Sequence, residues 1–214
     1  STNPISVGDQ VILSKEGNDY IITDILDRKN YIIRKSVNLS KQVHIIASNM
    51  DQAFLIVTLA SPATSVGFID RFLVTAEAYQ IPTILVFSKV DLYDEFDREY
   101  HDEIVEMYTD AGYECMEVSA INMVNIDLLI EKMKDKVTLL SGHSGVGKST
   151  LVNSIDPDLD LFTQEVSDAH QKGMHTTTFA EMFELDFGGF IIDTPGIKGF
   201  GLVLITIAAL SSSL

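Results

Sequence analysis

Residues 142–150, Gly142-His143-Ser144-Gly145-Val146-Gly147-Lys148-Ser149-Thr150, constrain this chain more than any other stretch. Residues 142–149 fit G-x-x-x-x-G-K-[ST], and they lie between an apolar run, "KVTLLSG", and a helical pattern at 148–155. A loop of this composition lets backbone N–H groups turn inward around phosphates, and the N-terminus of the following helix adds positive potential. Lys148 is placed to reach the outer phosphates, and the Ser149 hydroxyl to bind Mg²⁺. A chance glycine-rich turn would explain neither the strand before nor the helix after.

Around this loop the chain alternates strand and helix. "AFLIVTLA" (53–60) reads as a buried strand, "FIDRFLVTAEAYQ" (within 67–80) as a helix and "PTILVFS" (82–88) as a strand over 83–87. An acidic helix over 94–111, the strand "YECMEVSA", the helix "NIDLLIEKMK" and the strand "KVTLLSG" follow. After the loop come the helix at 148–155, a polar loop at 156–177, and the strands "TFAEMFEL" and "GFIIDTPG". Asp-Phe-Gly-Gly links these last two as a hairpin. The alternation predicts an α/β fold, a mostly parallel sheet with helices on both faces. Residues 10–46 differ: Val11–Leu13, Tyr20–Leu26 and Tyr31–Arg34 are β-branched and aromatic, separated by the turn signals "EGN" and "DRKN". They suggest part of a small β-barrel.

Four further motifs complete a nucleotide site. Asp193-Thr194-Pro195-Gly196 ends the strand "FIIDTPG", so Asp193 can hold Mg²⁺ through water while the Gly196 N–H faces a γ-phosphate. Hairpin closure alone could also explain Asp-x-Pro-Gly. Ser88-Lys89-Val90-Asp91 ends another apolar strand, where a guanine reader of the form N-K-x-D belongs. The Asp91 carboxylate can accept hydrogen bonds from guanine N1–H and the 2-amino group. Adenine offers neither donor, and sites built on such pairing discriminate by roughly 10⁴–10⁵. Lys89 would lie along the base and the nucleotide loop. Ser88 stands where Asn is expected and can make only part of that residue's bridge, so looser guanine binding is expected. Ser119-Ala120, one helix and one strand later, fits the short loop whose backbone N–H contacts guanine O6. In the polar loop "SDAHQKGMHTTTF", Thr176, Thr177 and Thr178 are candidates for the Mg²⁺-sensing threonine, with Thr177 preferred. Each could also simply start a strand.

The order of these motifs is unusual. An ordinary small GTPase runs phosphate loop, threonine, D-x-x-G, N-K-x-D and Ser-Ala. Here the guanine motif and Ser-Ala precede the phosphate loop, which is the same cycle cut after D-x-x-G. Strands of a doubly wound sheet can keep their places when only connections move. The expected architecture is therefore a circularly permuted P-loop GTPase domain over 47–202, preceded by a β-module at 1–46 and followed by an uncertain tail at 203–214.

Charge supports this division. The chain of 214 residues carries a formal charge of −16, which argues against general nucleic-acid affinity. Residues 1–45 nevertheless hold six basic residues (Lys15, Arg28, Lys29, Arg34, Lys35, Lys41) against five acidic ones, leaving nine basic and 26 acidic for the body. The lone Cys115 excludes an internal disulfide and a multi-cysteine zinc site, and its apolar surroundings suggest a buried thiol. The N-terminus has no signal-peptide pattern, and the most apolar run, Leu202 to Leu210, is too short to span a bilayer. A cytoplasmic protein with no membrane partner is expected.

Phe68-Ile69-Asp70-Arg71-Phe72-Leu73, Lys89-Val90-Asp91, Gly142–Thr150, Gly173-Met174-His175-Thr176-Thr177-Thr178 and Asp193-Thr194-Pro195-Gly196-Ile197 together resemble the bacterial ribosome small-subunit-dependent GTPases of the RsgA/YjeQ type, over about residues 5–202. The resemblance implies an N-terminal OB-fold, of which residues 1–46 would be the later strands. It also implies a permuted GTPase domain and a C-terminal zinc domain whose ligands are absent from this chain. It implies GTP/GDP and Mg²⁺ as cofactors, the small ribosomal subunit and its rRNA as partners, a role in late subunit maturation, and hydrolysis that is faster on the subunit. A monomer is expected. The uncharged "LVLITIAALSSSL" after Gly201 does not resemble the family's continuation.

Phosphoryl transfer needs positioning and charge neutralisation, which Lys148, Ser149, Thr177 and the loop N–H groups would supply. The water-positioning Gln usual after D-x-x-G is replaced by Ile197, so slow intrinsic turnover is expected. His175 is the candidate to orient water, as the resemblance also implies; the alternative is an exposed switch-loop histidine. His143 reads as a spacer whose backbone matters. Two other functional readings are a P-loop ATPase or metabolic kinase without a ribosomal role, and a nucleotide-sensing ribosome-binding module for which hydrolysis is incidental.

Overall fold

The structure is a computed structural model that describes residues 5–35, 43–159 and 180–193. Two antiparallel pairs come first: β1 (Val11–Glu16) with β2 (Asp19–Ile25), and β3 (Tyr31–Lys35) with β4 (Val43–Ser48). The α/β body follows in the order β5 (Gln52–Val57), α1 (Val66–Ala78), β6 (Thr83–Ser88), α2 (Glu95–Asp110), β7 (Glu114–Val118), α3 (Ile126–Met133), β8 (Val137–Ser141), α4 (Lys148–Ile155), β9 (Glu181–Glu184) and β10 (Phe190–Asp193). Short 3₁₀ turns lie at Val90–Leu92 and Pro157–Leu159.

The body strands form one sheet in the order β7-β6-β5-β8-β10-β9, parallel except for β9, which pairs antiparallel with β10. Counted from β8 as the first strand, the order reads 2-3-1-4-5-6. A single doubly wound sheet therefore survives with its chain cut between β10 and β5. Asp186-Phe187-Gly188-Gly189 makes the expected hairpin link; the Leu185 and Gly188 N–H groups donate to Gly189 O and Leu185 O across it.

Strand pleating explains the layers. On β5, Ala53, Leu55 and Val57 face one core with Phe68, Ile69, Phe72, Leu73 and Ala76 of α1 and Ile104 and Tyr108 of α2. Phe54 and Ile56 face the other, with Ile126, Leu129 and Met133 of α3 and Leu151, Val152 and Ile155 of α4. A strand buried on both faces has no polar side to alternate, which is why 53–57 reads as a continuous apolar run. The strand ends at Val57 rather than residue 60. Thr64 Oγ1 accepts from Thr58 N at 3.2 Å and Thr64 N donates to Thr58 O at 2.8 Å, closing a loop instead. Helix α2 begins where Asp94 and Asp97 form a reciprocal capping box, and its acidic first turn complements the helix dipole.

β4 runs across the expected boundary at 46/47. Ile32 and Ala47 pack into the same core as α1, and the rings of Tyr31 and Tyr79 lie 5.4 Å apart. The Asn30 amide donates to Met50 O and its oxygen accepts from Met50 N. Asp51 pairs with Lys29 and accepts from Val137 N at 2.7 Å, tying this junction to the start of β8. The N-terminal strands are thus stitched onto the body by buried polar bonds as well as apolar contact.

Asp9 and Arg28 form the most buried ion pair of this region, 2.6 Å apart with side chains 1% and 9% exposed. Burial alone would raise the Asp9 pKa, but Arg28, Ser48 Oγ and Ser6 N outweigh it and hold the carboxyl down at about 2. A depressed folded-state pKa stabilises above the unfolded value of 3.8 and is lost as pH falls toward 2. Acid unfolding should therefore show wild type more stable than Asp9→Asn above pH 4 by on the order of 2 kcal/mol, the gap closing toward pH 2. A gap independent of pH would contradict this assignment.

Candidate nucleotide site

The phosphate loop leaves β8 at Gly142 and enters α4 at Lys148. Gly142 has φ 145°, and a Cβ there would lie 2.4 Å from Ile56 O of β5, so the loop and the neighbouring strand approach as only glycine permits. Gly147, the N-cap of α4, has φ 97° and lies against the guanine-motif strand: its added Cβ would stand 3.4 Å from Ser88 Oγ and 3.7 Å from Lys89 Cε. Val146 is fully buried beneath the loop in the α3–α4 core, while Ser144, Gly145 and Thr150 are exposed. Lys148 Nζ donates to Gly142 O at 2.7 Å and His143 O at 2.8 Å, folding its ammonium across the cradle. Burial pushes its pKa down, and the Asp193 carboxylate acts in the opposite direction. Asp193 ends β10, whose parallel register sets it beside Leu140 of β8, just before the loop. Ser149 lies in the first turn of α4.

The guanine motif ends β6, one strand beyond β5. Ser88 is 2% exposed and Val90 4%, so this turn is built on a buried floor. Lys89 adopts φ 61° and swings its ammonium over the phosphate loop, donating to Gly145 O and Ser61 O at 2.7 Å each. Asp91 Oδ1 accepts from the fully buried Ser119 at 2.5 Å. Ser119 Oγ also accepts from Asn122 N at 3.1 Å, and its backbone pairs with Val124 in both directions. Ala120, half-buried, follows at the same end of the sheet. Residues 142–150, 88–91, 119–120 and 193 thus all gather at the carboxyl ends of parallel strands, around the β5–β8 junction where the chain order reverses. That is where doubly wound sheets bind ligands.

Several neighbours were not evident from residue type. The loop after β5 forms a wall, with Ser61 bonded to Lys89 and Pro62 packed at Gly145. His143 is more than a spacer: its ring lies on Phe68 of α1, centroids 3.8 Å apart, and burial with Lys148 and Arg71 nearby lowers its pKa. Tyr108 of α2 donates to Asp70 of α1 at 2.8 Å. Only the Phe68–Leu73 segment carried a prior signal, through its motif. The candidates His175, Thr176, Thr177, Thr178 and Gly196, and the tail 203–214, lie outside the described residues.

Fold and motif order together define a circularly permuted P-loop GTPase domain. A family model described as RsgA GTPase matches residues 25–203. The Small ribosomal subunit biogenesis GTPase RsgA of Phocaeicola vulgatus is 59% identical over 203 residues, covering 94% of this chain and 65% of that protein. The protein of the same name from Christiangramia forsetii is 56% identical, covering 95% and 66%. Among solved structures, YjeQ from Thermotoga maritima matches with a TM-score of 0.70 and 36% identity over 91% of this chain and 62% of its own. YloQ, described as a circularly permuted GTPase, matches with a TM-score of 0.65 and 29% identity over 93% and 59%. The chain belongs to the RsgA GTPase family; it spans about 65% of the length of the curated relatives it matches.

Gly142→Ala should force the phosphate loop away from Ile56 O. Strain of about 1–3 kcal/mol should lower the melting temperature, and binding of GDP should weaken at least about tenfold. Gly67→Ala, in the first turn of α1 without a positive φ, is the matched control that should do neither. Unchanged GDP binding in Gly142→Ala would contradict the close approach.

Proposed function

We propose that this chain binds GTP and GDP, hydrolyses GTP, and acts in maturation of the small ribosomal subunit. The observation that carries the reading is Asp91, held by Ser119 at the carboxyl end of β6 while Lys89 beside it reaches the phosphate loop. One short turn thus offers a base-reading carboxylate and a cation tied to the phosphate cradle. Ser88, Lys89, Val90, Asp91, Ser119 and Ala120 would surround guanine, and Gly142–Thr150 and Gly196 the phosphates.

Catalysis rests on positioning. The loop N–H groups and Lys148 neutralise charge on the departing γ-phosphoryl group, and Gly142 lets the loop that carries them lie against β5 where a side chain would not fit. Ser149, Thr177 and Asp193 would hold Mg²⁺, the last through water, and the ion supplies further charge neutralisation when bound. His175 orients the attacking water in place of the missing Gln, and turnover is slow until a partner stimulates it. The names of the relatives, which place them in small-subunit biogenesis, support the subunit as the partner that does so. Residues 1–46 would contribute an OB-fold surface for rRNA, consistent with their locally basic balance and with the nucleic-acid binding common in such barrels. A cytoplasmic monomer fits this role; among the described residues no helix is long and apolar enough to cross a membrane.

Phosphate release from GTP should be slow for the chain alone and rise on addition of purified small subunits. Lys148→Ala should abolish the stimulated rate, and His175→Ala should lower it about 100-fold. A stimulated rate that His175→Ala leaves unchanged would remove the water-orienting role. Absence of any stimulation by the subunit would remove the partner.

A further inference from the structure

The guanine-reading turn has an anchor on the side away from the phosphates. Arg98, on the first turns of α2, divides its guanidinium between two acceptors. Nη2 donates to Val90 O at 2.7 Å, and Nη1 donates to Glu117 Oε2 at 2.9 Å. Val90 is the residue before Asp91, within the 3₁₀ turn, and Glu117 is on β7, two residues before Ser119. The guanidinium lies 5.0 Å over the ring of Tyr93, the residue that ends the same turn. Glu117 is itself held through its backbone oxygen, which accepts from Asn125 Nδ2 at 2.8 Å; its second carboxylate oxygen lies 3.5 Å from Nε2 of the buried His101 without a hydrogen bond.

Resting on the guanine reading above, we propose that Arg98 and Glu117 form a brace that positions Asp91 for the base, doing from behind the turn what a longer residue at position 88 does from the front. Three points support it. Ser88 is buried against Gly147 and too short to span from β6 to the base-reading loops. Lys89 fixes the turn to the phosphate side only. The Asp91–Ser119 bond joins the two base-reading segments directly, yet one hydrogen bond leaves the carboxylate free to pivot, whereas a fork gripping the preceding carbonyl and the other segment's strand fixes both in register.

An ordinary surface ion pair is the competing account, since both side chains are about 40% exposed (44% and 36%) and such pairs contribute little to stability. The two accounts differ in what they do to the base. Guanine offers Asp91 two donors, whereas the hypoxanthine of IDP lacks the 2-amino group and offers one. The ratio of GDP to IDP affinity therefore reports the alignment of the carboxylate, independently of overall stability.

The test measures GDP, IDP and ADP binding to the full chain by displacement of a fluorescent GDP analogue, with thermal melting in parallel. Wild type, Arg98→Ala, Arg98→Lys, Glu117→Ala and the Arg98→Ala/Glu117→Ala double variant are compared. The brace predicts about tenfold weaker GDP binding and a smaller GDP-to-IDP ratio in Arg98→Ala. Arg98→Lys, which keeps the charge and loses the fork, should behave likewise, and the double variant should be no worse than the single ones. GDP affinity within twofold of wild type in Arg98→Ala, a lowered melting temperature with an unchanged GDP-to-IDP ratio, or losses that multiply in the double variant would each overturn it. Wild type binding ADP as tightly as GDP would instead overturn the guanine reading itself, and the brace with it.

Discussion

The structure depends on the parallel pairing of β5 with β8. Gln52 to Leu55 run beside Thr138 to Ser141, joining the first body strand to the one that carries the phosphate loop. This pairing closes the cut of the permutation: β5, β6 and β7 spread to one side of it, and β8, β10 and β9 to the other. It also brings Ile56 O against Gly142, so the joint between the two halves is the floor of the phosphate cradle. The Asp51 carboxylate, receiving Val137 N just outside the paired segment, sets where the register begins.

From this joint the site's electrostatics follow. A strongly acidic body would repel a polyphosphate at long range, so the local field has to be built from few cations and from backbone dipoles. Two lysines do this from opposite sides. Lys148 rises from α4 and folds over the loop carbonyls; Lys89 comes from β6 and grips the loop at Gly145. Each ammonium is fixed at the cradle by carbonyl oxygens, and Asp193 on β10 stands close enough to act on Lys148. The same bonds couple base reader to phosphate loop mechanically, because Lys89 belongs to the guanine turn and bonds to the phosphate loop.

Much of this was legible in the residues. The helix at 148–155 and the strand hairpin through Asp186–Gly189 follow from local glycine and periodicity signals, and the strand order observed is one that the permuted order of motifs allows. What was not legible depends on contacts between distant segments. Nothing in "SPATS" marks Ser61 and Pro62 as a wall of the site, because their role is played by a backbone oxygen and a ring edge. His143 looked like a spacer because its partner Phe68 comes from a helix placed beside it only by the fold. The alternation of strand and helix begins only at residue 53, so nothing local marks 46/47, and β4 crosses it because Ile32 and Ala47 are core residues of the body as well as strand residues. Arg98 lies on the acidic helix over 94–111, and nothing local in the sequence shows that it reaches Val90 and Glu117.

The proposed function requires that segments at 88–91, 119–120 and 142–150 form one site for one guanine nucleotide. A backbone amide titration by NMR with GDP tests it most directly, with ADP as comparison. The amides of Asp91 and Ala120 should shift together with those of Gly145 and Lys148, along curves with a single dissociation constant, and ADP should fail to move Asp91 and Ala120 at the same concentrations. Phosphate-loop shifts with GDP that leave residues 88–91 and 119–120 unmoved would contradict it.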